Sequence, residues 1–285
     1  MITLENWRER MEEDMRLRDL RQRTVDGYLL AVRLFLDRTG KAPETTGEED
    51  IRSYSLHLRD DRQQAPSSIN IALCALRFFC NFTLQRNFDV FQLLRVNRTR
   101  LLPVALSQRK ARALLQTDRH PVRRMTLATI YALGLRIGEG QRLEAKDIDS
   151  GRRMVWIRDG KGAKDRKVPP PKPLLLRLRT YWKLERPRST SQLLFTSAEG
   201  GPIHETTIQK TFNAAQEEAK IPRRATVHTL RHSYATHLVE HGISLRTIQE
   251  ILGHKSLQTT EVYMHVTLPG TERLQEVLDR LMVDL

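Results

Sequence analysis

Apolar residues recur at helical spacing through the first hundred positions of the chain. Leu4, Trp7, Met11 and Met15 follow one another at steps of three and four, which places them on one face of a helix. Thr24 is expected to cap a second helix carrying Val25, Tyr28, Leu29, Val32, Phe35 and Leu36, because a threonine hydroxyl can accept an otherwise unpaired N–H of the first turn. Thr46, with Glu49 three residues on, has the form of a capping box for a third helix through Leu58. Ser67 or Ser68 opens a fourth, rich in Ile71, Leu73, Leu76, Phe78, Phe79 and Phe82. Gly40-Lys-Ala-Pro43 and Ala65-Pro66 punctuate the run. The pattern predicts a four-helix bundle over 1–94.

The pattern then changes. Residues 95–106, RVNRTRLLPVAL, are basic and broken by Pro103, and read as a linker to a second domain over 107–285. Ser107 begins a helix through Gln116, and Pro121 another through Ala132. Met154–Ile157 and Arg166–Val168 are strand-like and flank the turn signal Asp159-Gly160-Lys161-Gly162, which together predict a β-hairpin. Prolines at 169–171 and 173 stop its second strand. Further helices are expected near 173–185, 204–220, 228–241, 244–252 and 270–282. Across the tail 270–285, Leu274, Leu278, Leu281 and Leu285 form an apolar stripe, suited to docking on another copy or to folding back on its own domain. The fold class is mostly α with one small β element.

Composition excludes several classes. No stretch approaches the roughly 20 apolar residues of a membrane span, and the charged N-terminal segment lacks the form of a signal peptide. Cys74 and Cys80 lie in one apolar helical run, so buried, reduced thiols and a cytoplasmic setting are expected. The net charge of +14 is unevenly placed: residues 1–102 hold 17 basic against 15 acidic side chains, and residues 103–285 hold 31 against 19. A basic second domain raises the local concentration of polyanions and gains from counterion release on phosphates. Nucleic acid is the expected partner.

Three segments concentrate chemistry. Gly134-Leu-Arg136-Ile-Gly-Glu139 precedes Leu143 and Asp147; His228-Thr-Leu-Arg231 opens a longer run to Leu238; Leu252-Gly-His254 is followed nine residues later by Tyr263. A buried arginine beside Glu139 could be a structural ion pair, and His228 with Arg231 could simply pack a helix. The pairs His228/His232 and His237/His241 have i,i+4 spacing but lack the HExxH pattern of a zinc site. Gly134, Gly138 and Gly140 lack the GKS/T of a phosphate-cradling loop. Neither metal nor nucleotide cofactor is therefore expected. Tyr28, Tyr54 and Tyr131 fall in apolar helical patterns and are expected in cores, and Tyr181 and Tyr234 lie within helices.

Taken in order (Arg136, Lys161, His228 with Arg231, His254, Tyr263), these residues resemble the tyrosine recombinase, or phage integrase, superfamily. The resemblance runs from about Leu106 to His265 and includes the framework positions Glu139, Leu143, Asp147 and Ala235–Leu238. Gly140 departs from it, since the family more often has Leu or Ala there; glycine is expected to loosen the helix by up to about 1 kcal/mol relative to alanine. The resemblance implies a core-binding, SAM-like helical bundle followed by an α-rich catalytic domain, closing as a clamp on duplex DNA. It implies Tyr263 as nucleophile and Lys161, with Lys164 as rival, as the acid for the departing 5′-oxygen. Arg136 and Arg231 can each offer forked donors to non-bridging oxygens. His254 can add another donor, and His228 can assist proton movement; Glu139 is expected to orient Arg136 or a neighbouring helix. The family works as a tetramer on paired double-stranded sites. A simple mobile-element integrase is the preferred subtype, with Xer-like dimer resolution second. A type IB topoisomerase and a catalytically silent DNA-binding relative are the rivals from other classes.

Overall fold

The computed structural model describes residues 6–94, 104–158, 165–186, 189–221, 225–254 and 260. The chain divides into two compact units, Met1–Arg100 and Leu101–Leu285.

In the first unit the helices are α1 (Trp7–Leu17), α2 (Gln22–Thr39), α3 (Glu48–Leu56), α4 (Pro66–Phe78) and a short α5 (Val90–Leu93). Their core is the apolar set that helical spacing selects: Met11, Met15, Val32, Phe35, Ile51, Leu76 and Phe79 are all buried. Edge-on ring contacts join Trp7 to Phe79 and Phe35 to Tyr54. Gly40, at φ +64°, ends α2 with its N–H on the Leu36 carbonyl, a left-handed position that glycine occupies without steric penalty. Both α3 and α4 run on into a wider π-type turn, at His57–Asp61 and Phe79–Thr83.

The helix starts differ from the expected caps. Helix α2 begins at Gln22, so Thr24 lies within its first turn. The box of α3 sits one residue later than expected: Asp50 accepts the Gly47 N–H at 2.8 Å. Thr46 is buried and donates its hydroxyl to the Pro43 carbonyl. Pro66, not Ser67 or Ser68, is the first residue of α4, where the missing N–H costs nothing. Cys80 is buried as expected, but Cys74 is exposed. Ile71, too, is on the outer face of α4.

The second unit contains α6 (Gln108–Thr117), α7 (Pro121–Ala132), α8 (Ile137–Gln141), α9 (Lys172–Thr180), α10 (Glu205–Glu218), α11 (Val227–Glu240) and α12 (Leu245–Leu252). Ser107 caps α6 by accepting the Lys110 N–H. One antiparallel sheet in the order β1 (Ile148–Asp149), β2 (Met154–Ile157), β3 (Arg166–Val168) includes both predicted strands. Their register sets Val155 against Val168 and Ile157 against Arg166. Strand alternation turns Val155, Ile157, Arg166 and Val168 inward. It leaves Trp156 and Lys167 outward, with the lysine ammonium 4.2 Å from the indole centroid. The core runs through Leu114, Ile130, Leu135, Tyr181, Phe195 and Phe212. Tyr54 and Tyr181 are buried, whereas Tyr28 and Tyr131 lie at the margins of their cores.

The chain enters this unit through a fixed point. Leu106 is buried; its N–H donates to Ser233 Oγ, and its carbonyl is 2.9 Å from His237 Nε2. That geometry makes Nε2 the donor, so Nδ1 accepts from the Tyr131 hydroxyl at 2.9 Å. The entry to the unit is thus pinned to α11, the helix that also carries His228 and Arg231. The predicted turn at 159–162 and the leucine stripe of 270–285 lie outside the described residues.

Candidate active site

The site is organised by one carboxylate. Glu139, in the first turn of α8, takes the Arg136 backbone N–H at 2.8 Å and the Arg136 guanidinium at 2.7 Å. It is also held by both terminal nitrogens of Arg166, at 2.9 and 2.8 Å, and lies 3.7 Å from Arg231 Nη1. Burial pushes the Glu139 carboxyl up. The Arg166 hydrogen bonds and charge, the Arg136 N–H and the Arg231 charge outweigh it and hold the group down at about 2. The carboxylate is ionised at neutral pH, and three guanidiniums surround one negative charge.

The three arginines are not equivalent. The Arg231 side chain is 1% exposed, and its terminal nitrogens donate to the carbonyls of Gly134 at 2.7 Å and Leu252 at 2.6 Å. These bonds fix the plane of the guanidinium and tie α11 to the turns that lead into Arg136 and His254. Arg136 is the more open, with 24% of its side chain exposed. Arg166 donates a further bond from Nε to the Ile251 carbonyl at 2.7 Å.

Two glycines permit this convergence. Gly134 has φ +60°, and a Cβ there would lie 2.5 Å from Tyr234 Cδ1. Tyr234 therefore closes over the turn before Arg136. Gly253 ends α12 at φ +64° and turns the chain so that the His254 N–H reaches the Gln249 carbonyl. A Cβ on Gly253 would come within 3.0 Å of Arg166 Cδ. Gly140 is also a fitted position, because its Cβ would meet Ile130 Cγ1 at 2.9 Å. The expected loosening of α8 is thus answered by close packing.

The histidines form a second layer. Burial, with the Arg231, Arg136, His232 and Arg166 charges after it, pushes the His254 imidazole down to about 3. His254 Nδ1 is 2.9 Å from the Thr260 hydroxyl; with that nitrogen accepting, Nε2 carries the proton and can donate. His232 is pushed down to about 4 by burial, then by His228 and Arg231. The exposed His228 ring stands edge-on to it, with centroids 4.6 Å apart.

Of the residues expected from sequence, Arg136 and Arg231 therefore gather around Glu139, His254 feels the charges of both, and His228 joins them through His232. Lys161, Lys164 and Tyr263 lie outside the described residues. Glu139 orients Arg136, as one of the two expected roles had it. Arg166 and His232 are not among the site residues expected from sequence. A signal for Arg166 existed: period-two alternation places it on the same face as Val168. Among the described residues no cluster of His, Cys, Asp and Glu could hold a metal ion, and no helix is long and apolar enough to cross a membrane.

Comparison with known proteins identifies the family. Residues 105–268 match the phage integrase family, and residues 7–89 match its N-terminal SAM-like domain. A Sinorhizobium fredii protein assigned as an integrase/recombinase is 40% identical over 261 residues, covering 91% of this chain and 84% of its own. The tyrosine recombinase XerA of Thermococcus kodakarensis is 32% identical over 266 residues, covering 91% of each chain. Among solved structures, the XerH site-specific recombinase bound to a palindromic difH substrate is similar with a TM-score of 0.73 at 22% identity, over 89% of this chain and 78% of that one. The Tn1549 transposon integrase in complex with circular intermediate DNA gives 0.73 at 18%, over 90% and 94%. The chain belongs to the phage integrase family and is a tyrosine site-specific recombinase.

Proposed function

We propose that the chain cleaves and rejoins double-stranded DNA at specific sites through a transient 3′-phosphotyrosine on Tyr263. The observation that carries this reading is the gathering of Arg136 and Arg231 around the buried Glu139, with the turn into His254 tied to Arg231 through the Leu252 carbonyl. Three guanidiniums against one carboxylate leave an excess of positive charge, suited to the non-bridging oxygens of a phosphodiester. Tyr263 Oη bonds to phosphorus as the bond from phosphorus to the 5′-oxygen breaks. The phenol proton leaves by way of His228, and Lys161 gives a proton to the departing 5′-oxygen. Arg136 and Arg231 bind the oxygens that gain charge, and neutral His254 donates an N–H to them.

Rejoining is the reverse step with a 5′-hydroxyl as nucleophile, so the bond energy is conserved without nucleotide or metal. Pairs of sites held by a homotetramer exchange strands through a junction. The basic second domain supports DNA as partner. The integrase/recombinase and XerA relatives leave two uses of the chemistry, mobile-element integration and dimer resolution, of which we favour the first.

The test begins with fragmented genomic DNA incubated with protein, from which covalently attached fragments are sequenced to locate the site. A nicked version of that site is then offered to wild type and Tyr263→Phe. Wild type is expected to accumulate a covalent adduct; the variant is expected to bind with equal affinity and form none. An adduct that persists in Tyr263→Phe overturns the choice of nucleophile. Junctions formed between two identical sites separate a recombinase from a topoisomerase.

A further inference from the structure

We infer that Arg166 is a positioning residue for phosphoryl transfer, one that locks the Arg136 turn and the His254 turn into a single rigid donor set. The inference rests on the reading of the site given under Proposed function. Arg166 opens β3, faces the core opposite Ile157, and has only 7% of its side chain exposed. Its two terminal nitrogens span the two oxygens of Glu139, which also accepts from the backbone and side chain of Arg136 and lies close to Arg231. Its Nε holds the Ile251 carbonyl, three residues before His254. Its Cδ lies 3.0 Å from where a Cβ of Gly253 would be. One planar group thus connects three segments distant in sequence: α8, β3 and the end of α12.

Geometry explains why arginine is needed there. A guanidinium offers a rigid fork plus a third donor in one plane. A lysine ammonium would keep the charge beside Glu139 but is a single point, and cannot hold both carboxylate oxygens and the Ile251 carbonyl in the same directions. The role is indirect, since Arg166 spends these donors on protein acceptors. It acts on the reaction through where Arg136 and His254 stand.

Arg166→Lys is the informative variant, because it leaves a cation to balance the buried carboxylate and so favours folding. Single-turnover cleavage at saturating DNA is measured on the mapped site and on the same site with a methylphosphonate at the scissile position. The methyl group removes the negative charge that the arginines stabilise. Arg136→Ala serves as the control and is expected to lose roughly 100-fold on the phosphate and much less on the methylphosphonate. Arg166→Lys is expected to lose roughly 10-fold on the phosphate, with most of that loss recovered on the methylphosphonate, and with DNA affinity and thermal midpoint near wild type.

An equal loss on both substrates, or no loss on either, overturns the inference while the Arg136 control stands. If Arg136→Ala itself shows no discrimination between substrates, the reading of the site falls and takes the inference with it. Should Arg166→Lys fold poorly, Arg166→Gln combined with Glu139→Gln removes both charges together and is judged by the same ratio of rates.

Discussion

Glu139→Gln is the substitution whose cost the structure defines most directly. The side chain keeps its shape, but an amide N–H₂ replaces one oxygen among groups that all donate: the Arg136 N–H and the guanidiniums of Arg136 and Arg166. The carboxyl is held at about 2 against a usual 4.5, which converts to roughly 3 kcal/mol of stability at neutral pH. Removing one partner of a buried ion pair costs about 3–5 kcal/mol by an independent route, so the two agree in scale. Because the folded-state value is depressed, this stability is fully present above the usual carboxyl range. It is lost as pH falls from about 4.5 toward about 2.

Denaturant unfolding, followed by the fluorescence of Trp156 and Trp182 in a Trp7→Phe background, reads the second unit. The variant is expected to be about 3 kcal/mol less stable at pH 7. The gap is expected to stay constant down to about pH 5 and to lose more than half its size by about pH 3. A variant as stable as wild type at pH 7, or a gap that does not narrow in acid, would refute the charge-compensation account of the site.

Gly134→Ala puts a Cβ 2.5 Å from the Tyr234 ring at a left-handed φ, and is expected to lower the thermal midpoint by well over the equivalent of about 1 kcal/mol; an unchanged midpoint contradicts the close approach. Gly140→Ala sets a helix-propensity gain of about 1 kcal/mol against a 2.9 Å contact with Ile130. It should destabilise wild type and turn neutral or stabilising in an Ile130→Ala background, and a double-mutant cycle measures the coupling. His254 and His232, pushed down to about 3 and about 4, are expected to stay neutral at pH 6 by imidazole ¹⁵N shifts; titration of either near its usual pH contradicts the burial argument. His237→Ala removes the bonds to Leu106 and Tyr131 and is expected to cost about 1–3 kcal/mol in chemical denaturation. A neutral result would show that the entry to the second unit is not pinned there.

Periodicity along the chain determined much of this protein by itself. Helix α7 runs from Pro121 to Ala132 and strand β2 from Met154 to Ile157, as their residues predict, because a helix face or strand alternation is written within a few neighbouring positions. Arg136, His228, Arg231 and His254 could be singled out for a different reason: no one of their segments is diagnostic, but their order along the chain resembles that of the tyrosine recombinases. Caps were less legible. Several residues near Thr46 could accept a first-turn N–H, and packing of the Thr46 hydroxyl against Pro43 decided the choice. The burial of Cys80 against the exposure of Cys74 followed from which side of α4 and its π-turn met the core. Only the tertiary structure decided that Arg136, Arg166 and Arg231 share one carboxylate. Compensation of a buried charge is set by segments far apart in sequence that meet in space, and no local pattern along the chain records that meeting.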